Sequence, residues 1–451
     1  MSGHRLDTGG LIDRADPLTF SFDGIEYTGY EGDSLASALL ANGVEVVGRG
    51  FKYHRPRGVM SAGVEEGGAI LTVGAGRFRE PNVKAPVQPL YEGLVSGGQN
   101  AWPSVRRDVG RVNDVFKRFL AAGFYYKTFF GVRKGTKDWM LFEKIIRRAA
   151  GMGRASREAD PDSYETAHAS CDVLVVGSGP AGLAAAKAAA ADGRDVILAE
   201  QDFTLGGSYL SQPGGIARAA AAMDELRAAG VTIMPRTCVF GLYDGGIAGM
   251  VETVTDDPGL HGVRQRTWIV RPAQIVLATG AIEQPLAFGN NDRPGVMQAG
   301  AVRTYLNRYA VAPGTRAVVA TTNDSAYAVA ADLAGAGIPV TLIDARTTGP
   351  DAPEGVKVLR GTVPIRTLGN YVMDGVEIGA LDAEGYAEAR QIIDCDLLAV
   401  SGGWTPAVHL TSHRGPKPVW NDTIHAFLAG ATDEPIRTCG AAAGVYDHDA
   451  C

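Results

Sequence analysis

Cysteine is scarce in this chain and comes late. The first 170 residues contain none, and the five present (Cys171, Cys238, Cys395, Cys439 and Cys451) form neither a CxxC nor a CxxxxC pair. An iron–sulfur cluster in the N-terminal third is thereby excluded, because such a cluster needs four thiolates. A redox-active disulfide on a helix and an evident metal site fall with it. The thiols are expected to be reduced and mostly buried. No apolar run reaches membrane-spanning length, and the opening MSGHRLDTGG lacks an apolar signal region, so the chain reads as cytoplasmic. Positive charge is not in excess: a formal net charge of -7 gives no general attraction to nucleic acid or anionic membrane. The eight histidines are isolated, and His409 and His413 stand i, i+4 with no carboxylate motif nearby, so no catalytic residue is assigned.

Glycine, by contrast, is abundant, with 59 of 451 residues. Its most telling use lies in residues 173–200, VLVVGSGPAGLAAAKAAAADGRDVILAE. This reads as strand, tight turn, helix and strand, the unit that holds a dinucleotide. Gly177 permits the sharp exit from the strand, Gly179 lets backbone approach a pyrophosphate, and Gly182 lets the helix pack close. The phosphates then face the helix N-terminus, where unpaired N–H groups and the positive dipole end favour anions. Glu200 ends the second strand about 20 residues on, where a carboxylate accepts from adenosine ribose hydroxyls.

At 451 residues the chain has room for two to four domains. Residues 19–30, TFSFDGIEYTGY, alternate apolar and polar around Asp23-Gly24, a hairpin signal. Asp33 or Ser34 can cap the helix LASALLANG, which stops at Gly43. With further short strands this makes a β-grasp, ferredoxin-like module without cluster ligands over 17–85. The basic segment 49–58, RGFKYHRPRG, supports two readings: a phosphate or carboxylate clamp, or a solvated loop. Residues 86–168, with QNAWPS, VFKRFLAAGFYYKTFF and paired arginines after Trp139, read as a helical connector facing another surface. An acid-rich linker at 157–168 closes it.

Beyond Glu200, Gly206-Gly207 form a turn near the expected pyrophosphate or ribose. A helix over 216–229 follows, then strands, the last ending in Ala278-Thr279-Gly280, where the chain crosses to a second lobe. A second strand–helix–strand unit begins at Arg316, with Asp344 in the position of Glu200. Its turn, Ala320 to Ala326, reads ATTNDSA, so side chains obstruct a pyrophosphate and this second site is lost or residual. The fold class expected is α/β: the β-grasp module, then two-lobed FAD/NAD(P)-binding Rossmann domains of the pyridine nucleotide-disulfide oxidoreductase kind. The first dinucleotide domain is assigned to 169–288 and 395–451, and the degenerate lobe to 289–394.

Several long stretches together resemble one family, the alpha subunits of heterotetrameric sarcosine oxidase. They are FKYHRPRG, QNAWPS, AGFYYKTFF, VVGSGPAGLAAA, ATGAIEQPLAFGNNDRPGVM, RTYLNRYAVAPG, TTNDSAYA and LLAVSGGWTPAVHL, distributed from about residue 19 to 445. The resemblance implies an alpha-type subunit that carries NAD, while beta, gamma and delta-type partners complete the complex and the beta type holds FAD and covalent FMN. It implies NAD contacts from Gly177, Gly179, Pro180, Ala181, Gly182, Glu200 and Gln201, followed by Gly207, Val239, Thr279, Gly280 and Gly440. A folate-binding second half is part of the family pattern and absent here, so a truncated product or split gene is expected.

Three functions compete. The first is an NAD-holding scaffold subunit of a complex that demethylates sarcosine to glycine with peroxide formation, inactive alone. The second is a self-sufficient FAD-dependent dehydrogenase of the amine, opine or hydroxyproline kind. The third is a non-catalytic NAD-binding assembly module. NAD against FAD in the first site, and which secondary amine is oxidised, stay open at this level.

Overall fold

The computed structural model describes residues 4–119, 140, 143, 147, 153–257, 262–388 and 391–447. The aromatic run 122–130 and nearly all of 139–150, both within the helical connector expected over 86–168, lie outside these residues, as does Cys451.

Asp23 and Gly24 take the positive φ values, 50° and 79°, that a tight two-residue hairpin needs. They join β1 (Asp13–Phe22) to β2 (Ile25–Glu31), with Phe22 opposite Ile25. Ser34 caps α1 (Leu35–Ala41): its Oγ accepts from Ser37 N–H at 3.1 Å, and Ser37 Oγ accepts from Ser34 N–H at 2.9 Å. Leu35 and Leu39 of this helix are fully buried, a contribution of roughly 1.5–3 kcal/mol each. β3 (Ile70–Val73), β4 (Glu80–Lys84) and β5 (Leu94–Gly98) complete a five-stranded sheet of order β2-β1-β5-β3-β4. The boundary expected at residue 85 is therefore too early. β5 is a central strand whose sequence, LVSGG, shows no strand pattern; pairing with β1 on one side and β3 on the other makes it one.

The first nucleotide-type sheet comprises β6 (Ser163–Val176), β7 (Val196–Ala199), β8 (Thr232–Met234), β9 (Thr237–Tyr243), β10 (Ile247–Thr253) and β11 (Val263–Leu277), in the order β8-β7-β6-β11-β10-β9. The late strand Ile436–Thr438 pairs parallel with β11. Helices α2 (Pro180–Ala191) and α3 (Gly215–Ala228) pack on it. The supposed linker 157–168 is in part strand. The first half of β6 is exposed and polar, and it is held beside β11 by register pairing and by the Arg266–Glu165 ion pair.

The chain crosses to the second lobe through Ala281–Glu283, which pairs with the returning strand Trp404–Pro406. That lobe holds β12 (Val296–Gln298), α4 (Ala299–Tyr309), β13 (Ala317–Thr321), α5 (Ser325–Gly335), β14 (Val340–Asp344), β15 (Lys357–Arg360) and β16 (Leu397–Ser401). Its parallel sheet runs β12-β16-β13-β14-β15. The boundary expected at residue 395 is corrected by this order, because β16 sits inside the second sheet between β12 and β13. A three-stranded antiparallel sheet, Thr362–Leu368, Gly375–Ala380 and Gln391–Asp394, covers it further. One continuous apolar core joins the β-grasp to this lobe: Phe20, Leu39 and Leu71 belong to the same cluster as Tyr305, Tyr309, Val319 and Leu333.

Candidate functional site

The turn after β6 uses three glycines for three different reasons. Gly177 has φ of 102°, and a Cβ there would stand 2.4 Å from the Ala278 carbonyl oxygen. A Cβ on Gly182, in the first turn of α2, would stand 1.8 Å from the Gly177 carbonyl oxygen, so the helix packs directly on the turn. Gly179 caps α2 with ordinary extended backbone, and a Cβ there would meet nothing within 4 Å. The position a Gly179 side chain would take is thus open, and Pro180 at the first position of the helix has no N–H to leave unpaired. The Gly179 backbone is therefore sterically open to an approaching anion.

Glu200 follows β7 and is buried. Its Oε2 accepts from Ser178 N–H and Ser178 Oγ–H, both at 2.7 Å, and its Oε1 accepts from Asp202 N–H at 2.9 Å. Burial pushes its carboxyl above the usual glutamate range, against the pull of the Asp202 and Ser178 donors. Oε1 keeps acceptor capacity for a hydroxyl. The loop that follows folds back over the turn: Gly206 N–H donates to Ser178 Oγ at 3.0 Å, and a Cβ on Gly207 would stand 2.6 Å from Gly179 Cα. The Thr279 hydroxyl donates to the Ala407 carbonyl at 2.7 Å, with Gly280 at φ 73° beside it. The 3-10 turn Gly440–Ala443 contacts α2. Thus Gly177, Gly179, Pro180, Ala181, Gly182, Glu200, Gly207, Thr279, Gly280 and Gly440 gather at one end of the sheet. Gln201 is exposed, and the Val239 side chain points into the core, leaving only its backbone for a ligand.

The corresponding place in the second lobe is filled by its own side chains. Asp344 at the end of β14 accepts from Tyr327 Oη–H at 2.9 Å, and from Arg346 through its backbone N–H at 2.9 Å, Nε at 3.1 Å and Nη2 at 2.8 Å. All four lone-pair positions of this carboxylate are thus engaged. Arg346 also reaches Asp324 at the start of α5, at 2.7 Å, and so bridges the turn that a pyrophosphate would approach. Burial alone would raise the Asp344 carboxyl; the Arg346 and Tyr327 hydrogen bonds overcome it and hold it below its ordinary range.

Several long-range contacts around the site have no local sequence signal. Arg308 on α4 is buried and donates bidentately to Asp202 at 2.6 and 2.8 Å, so the second lobe holds the loop next to Glu200. The Arg308 guanidinium lies over Phe203 and Tyr309. His54 is not isolated: its Nδ1 pairs with Asp108 at 2.7 Å, which pins the basic segment to the turn at 108–110. In that segment Arg55 and Arg57 both pair with Asp292 of the second lobe, and Arg49 donates to the Val105 carbonyl and Tyr371. These cations join domains, which favours neither clamp nor solvated loop. His413 pairs with the Leu242 backbone, at 2.7 Å to its carbonyl. Burial pushes the Cys171 and Cys395 thiols up to about 11 and about 12, so neither is a thiolate nucleophile near neutral pH.

Comparison with known proteins places the chain among sequence and fold relatives. Residues 15–101 match a family described as a 2Fe-2S iron-sulfur cluster binding domain, and residues 172–251 match the FAD dependent oxidoreductase family. The structure is similar to that of L-proline dehydrogenase from P. horikoshii, with a TM-score of 0.64 at 19% identity, covering 98% of this chain and 72% of that one. At that identity the likeness concerns fold alone. The chain is 46% identical over 463 residues to the sarcosine oxidase subunit alpha of Rhizobium meliloti (strain 1021), covering all of this chain and 46% of that protein. It is 38% identical over 458 residues to the subunit alpha of Corynebacterium sp. (strain P-1), covering 97% of this chain and 42% of that protein. The chain spans less than half the length of these relatives. Along its whole length it is a homologue of the sarcosine oxidase alpha subunits.

Proposed function

We propose that this chain is the dinucleotide-holding, alpha-type part of an oxidoreductase complex that demethylates sarcosine to glycine with peroxide formation. The observation that carries the reading is the turn at 177–182, with open space before Gly179 and the Glu200 carboxylate at the ribose end. In this reading the bound dinucleotide is NAD, a hydride-transfer group, held by the residues that converge on the turn. FAD and FMN belong to a beta-type partner, and gamma and delta-type subunits complete the assembly. The resemblance to alpha subunits supports NAD; the match to the FAD dependent oxidoreductase family supports a nucleotide of the same general shape. The second lobe, closed by Arg346, acts as a structural wall. Within this chain no carboxylate or histidine is assigned to chemistry on the amine.

The test is a titration of the full chain with NAD, beside the variant Gly179→Val. The branched side chain points into the open space, so the variant is expected to keep its thermal midpoint and to lose NAD binding by at least tenfold. Equal affinity in the two proteins overturns the site. Peroxide production from sarcosine by the chain alone, with NAD, FAD and FMN supplied, is expected to be absent; sustained turnover without a partner promotes the self-sufficient flavoenzyme instead.

A further inference from the structure

The match of residues 15–101 to a cluster-binding family conflicts with the donor set that is present. Plant-type clusters are ligated by C-x4-C-x2-C and a fourth, later cysteine. In the loop before β3, the residues at that spacing are Ser61, Glu66 and Ala69. The 3-10 turn Ala85–Val87, where Ala85 N–H donates to the Ala69 carbonyl at 3.0 Å, contributes only alanine, proline and valine. None of these is a thiolate, so the residues do not fit a cluster.

What fills the loop is the Glu66 carboxylate, whose residue is only 2% exposed. Oε2 accepts from Met60 N–H at 2.9 Å and Ser61 N–H at 2.7 Å. Oε1 accepts from Ala69 N–H at 2.8 Å and from Gly68 N–H. Ser61 Oγ stands 3.4 Å from Oε2. Four backbone N–H groups converging on one point form an anion-binding concavity of the kind that also surrounds iron–sulfur clusters. Among the described residues no lysine or arginine side chain takes part in these bonds; backbone N–H dipoles, with the Ser61 hydroxyl beside them, face the charge.

The same loop seats α4. Tyr305, fully buried, donates its Oη–H to the Ser61 carbonyl at 2.9 Å, and Gln298 N–H donates to the Met60 carbonyl at 2.8 Å. Farther along α4, Asn307 reaches the Ser211 carbonyl at 3.0 Å and Arg308 holds Asp202. We infer that Glu66 takes the place of the cluster as the anion that orders this loop, and that the ordered loop seats α4 and, through it, the loop over the dinucleotide turn. Glu66 is thus a positioning residue, and the last link alone rests on the dinucleotide reading above.

The test uses hydrogen exchange of the full, nucleotide-free chain, read on peptides covering residues 60–69 and 299–309. Glu66→Gln places an amide N–H2 among donors. It is expected to lower protection of both segments by roughly tenfold or more, as loss of charge-assisted hydrogen bonds does. Glu66→Gly empties the concavity, and added formate is expected to restore protection of both segments, while chloride at equal ionic strength does not. If Glu66→Gln fails to fold, formate-dependent recovery of the Glu66→Gly chain decides. Unchanged protection in Glu66→Gln, loss confined to residues 60–69, or a Glu66→Gly chain indifferent to formate overturns the inference. NAD affinity, measured separately, is expected to weaken in Glu66→Gln; a wild-type chain that binds no NAD defeats the dinucleotide reading but leaves the exchange result standing.

Discussion

Gly179 and Gly182 are three residues apart, yet substitution separates them cleanly. Gly179→Ala adds a methyl to open space on unstrained backbone, so stability is expected to change by no more than about 0.5 kcal/mol. Gly182→Ala drives a methyl against the Gly177 carbonyl and is expected to cost about 1–3 kcal/mol whether or not nucleotide is added. Urea midpoints of the two variants without ligand check this; equal losses contradict the geometry. Glu283 offers a second residue-scale test. Its carboxyl accepts from Gly300 N–H at the start of α4 at 2.7 Å and is buried. Burial raises it to about 7 from the ordinary 4.5, with hydrogen bonds from Ser401 and Gly300 opposing the rise. The fold therefore favours the protonated form. The stability this contributes is complete below about pH 4.5 and is lost as pH rises through about 7, a change on the order of 3 kcal/mol. Glu283→Gln, neutral at every pH, is expected to gain on the wild type from pH 5 to about pH 7 and to level off by pH 8. A constant difference between their denaturation midpoints over that range contradicts the assignment.

Helix α4 joins three parts of the molecule, and Arg308 is its most buried cation. Burial alone would lower its ionisation; Tyr309 and Asp202 more than offset that and raise it. Asp202 keeps a third of its side chain in solvent, whereas Arg308 keeps 6%. Asp202→Asn strands the buried charge and is expected to cost about 3–5 kcal/mol; Arg308→Met leaves an acid that can hydrate and is expected to cost less. Thermal or urea unfolding orders the two, and the reverse order contradicts this account of the pair. Elements with local signals were legible in the sequence: the Asp23-Gly24 hairpin, the Ser34-capped helix and the first βαβ unit all carry their reasons within a few residues. Strand β5 was not, because LVSGG becomes a strand only through neighbours on both sides. Nor were Arg308–Asp202 and His54–Asp108, which lie 106 and 54 residues apart in sequence. The spacing of Ser61, Glu66 and Ala69 was visible in principle, but a search for cysteines passes over a carboxylate standing in their pattern.

At the scale of the whole molecule, the β-grasp shares one apolar core with the second lobe, so it is a wall of the structure and no appendage. Among the described residues no helix is long and apolar enough to cross a membrane. Of the two dinucleotide-type turns, one faces open space and the other is closed by Arg346 and a saturated Asp344. The molecule should therefore hold one nucleotide and not two. The most direct measurement is the nucleotide released when the purified full chain, saturated with NAD and freed of excess, is denatured and its supernatant resolved by chromatography, with the absorbance spectrum taken beforehand. One NAD per chain from a colourless protein is the result expected. A yellow protein releasing FAD, a chain releasing two nucleotides, or a chain releasing none would contradict it.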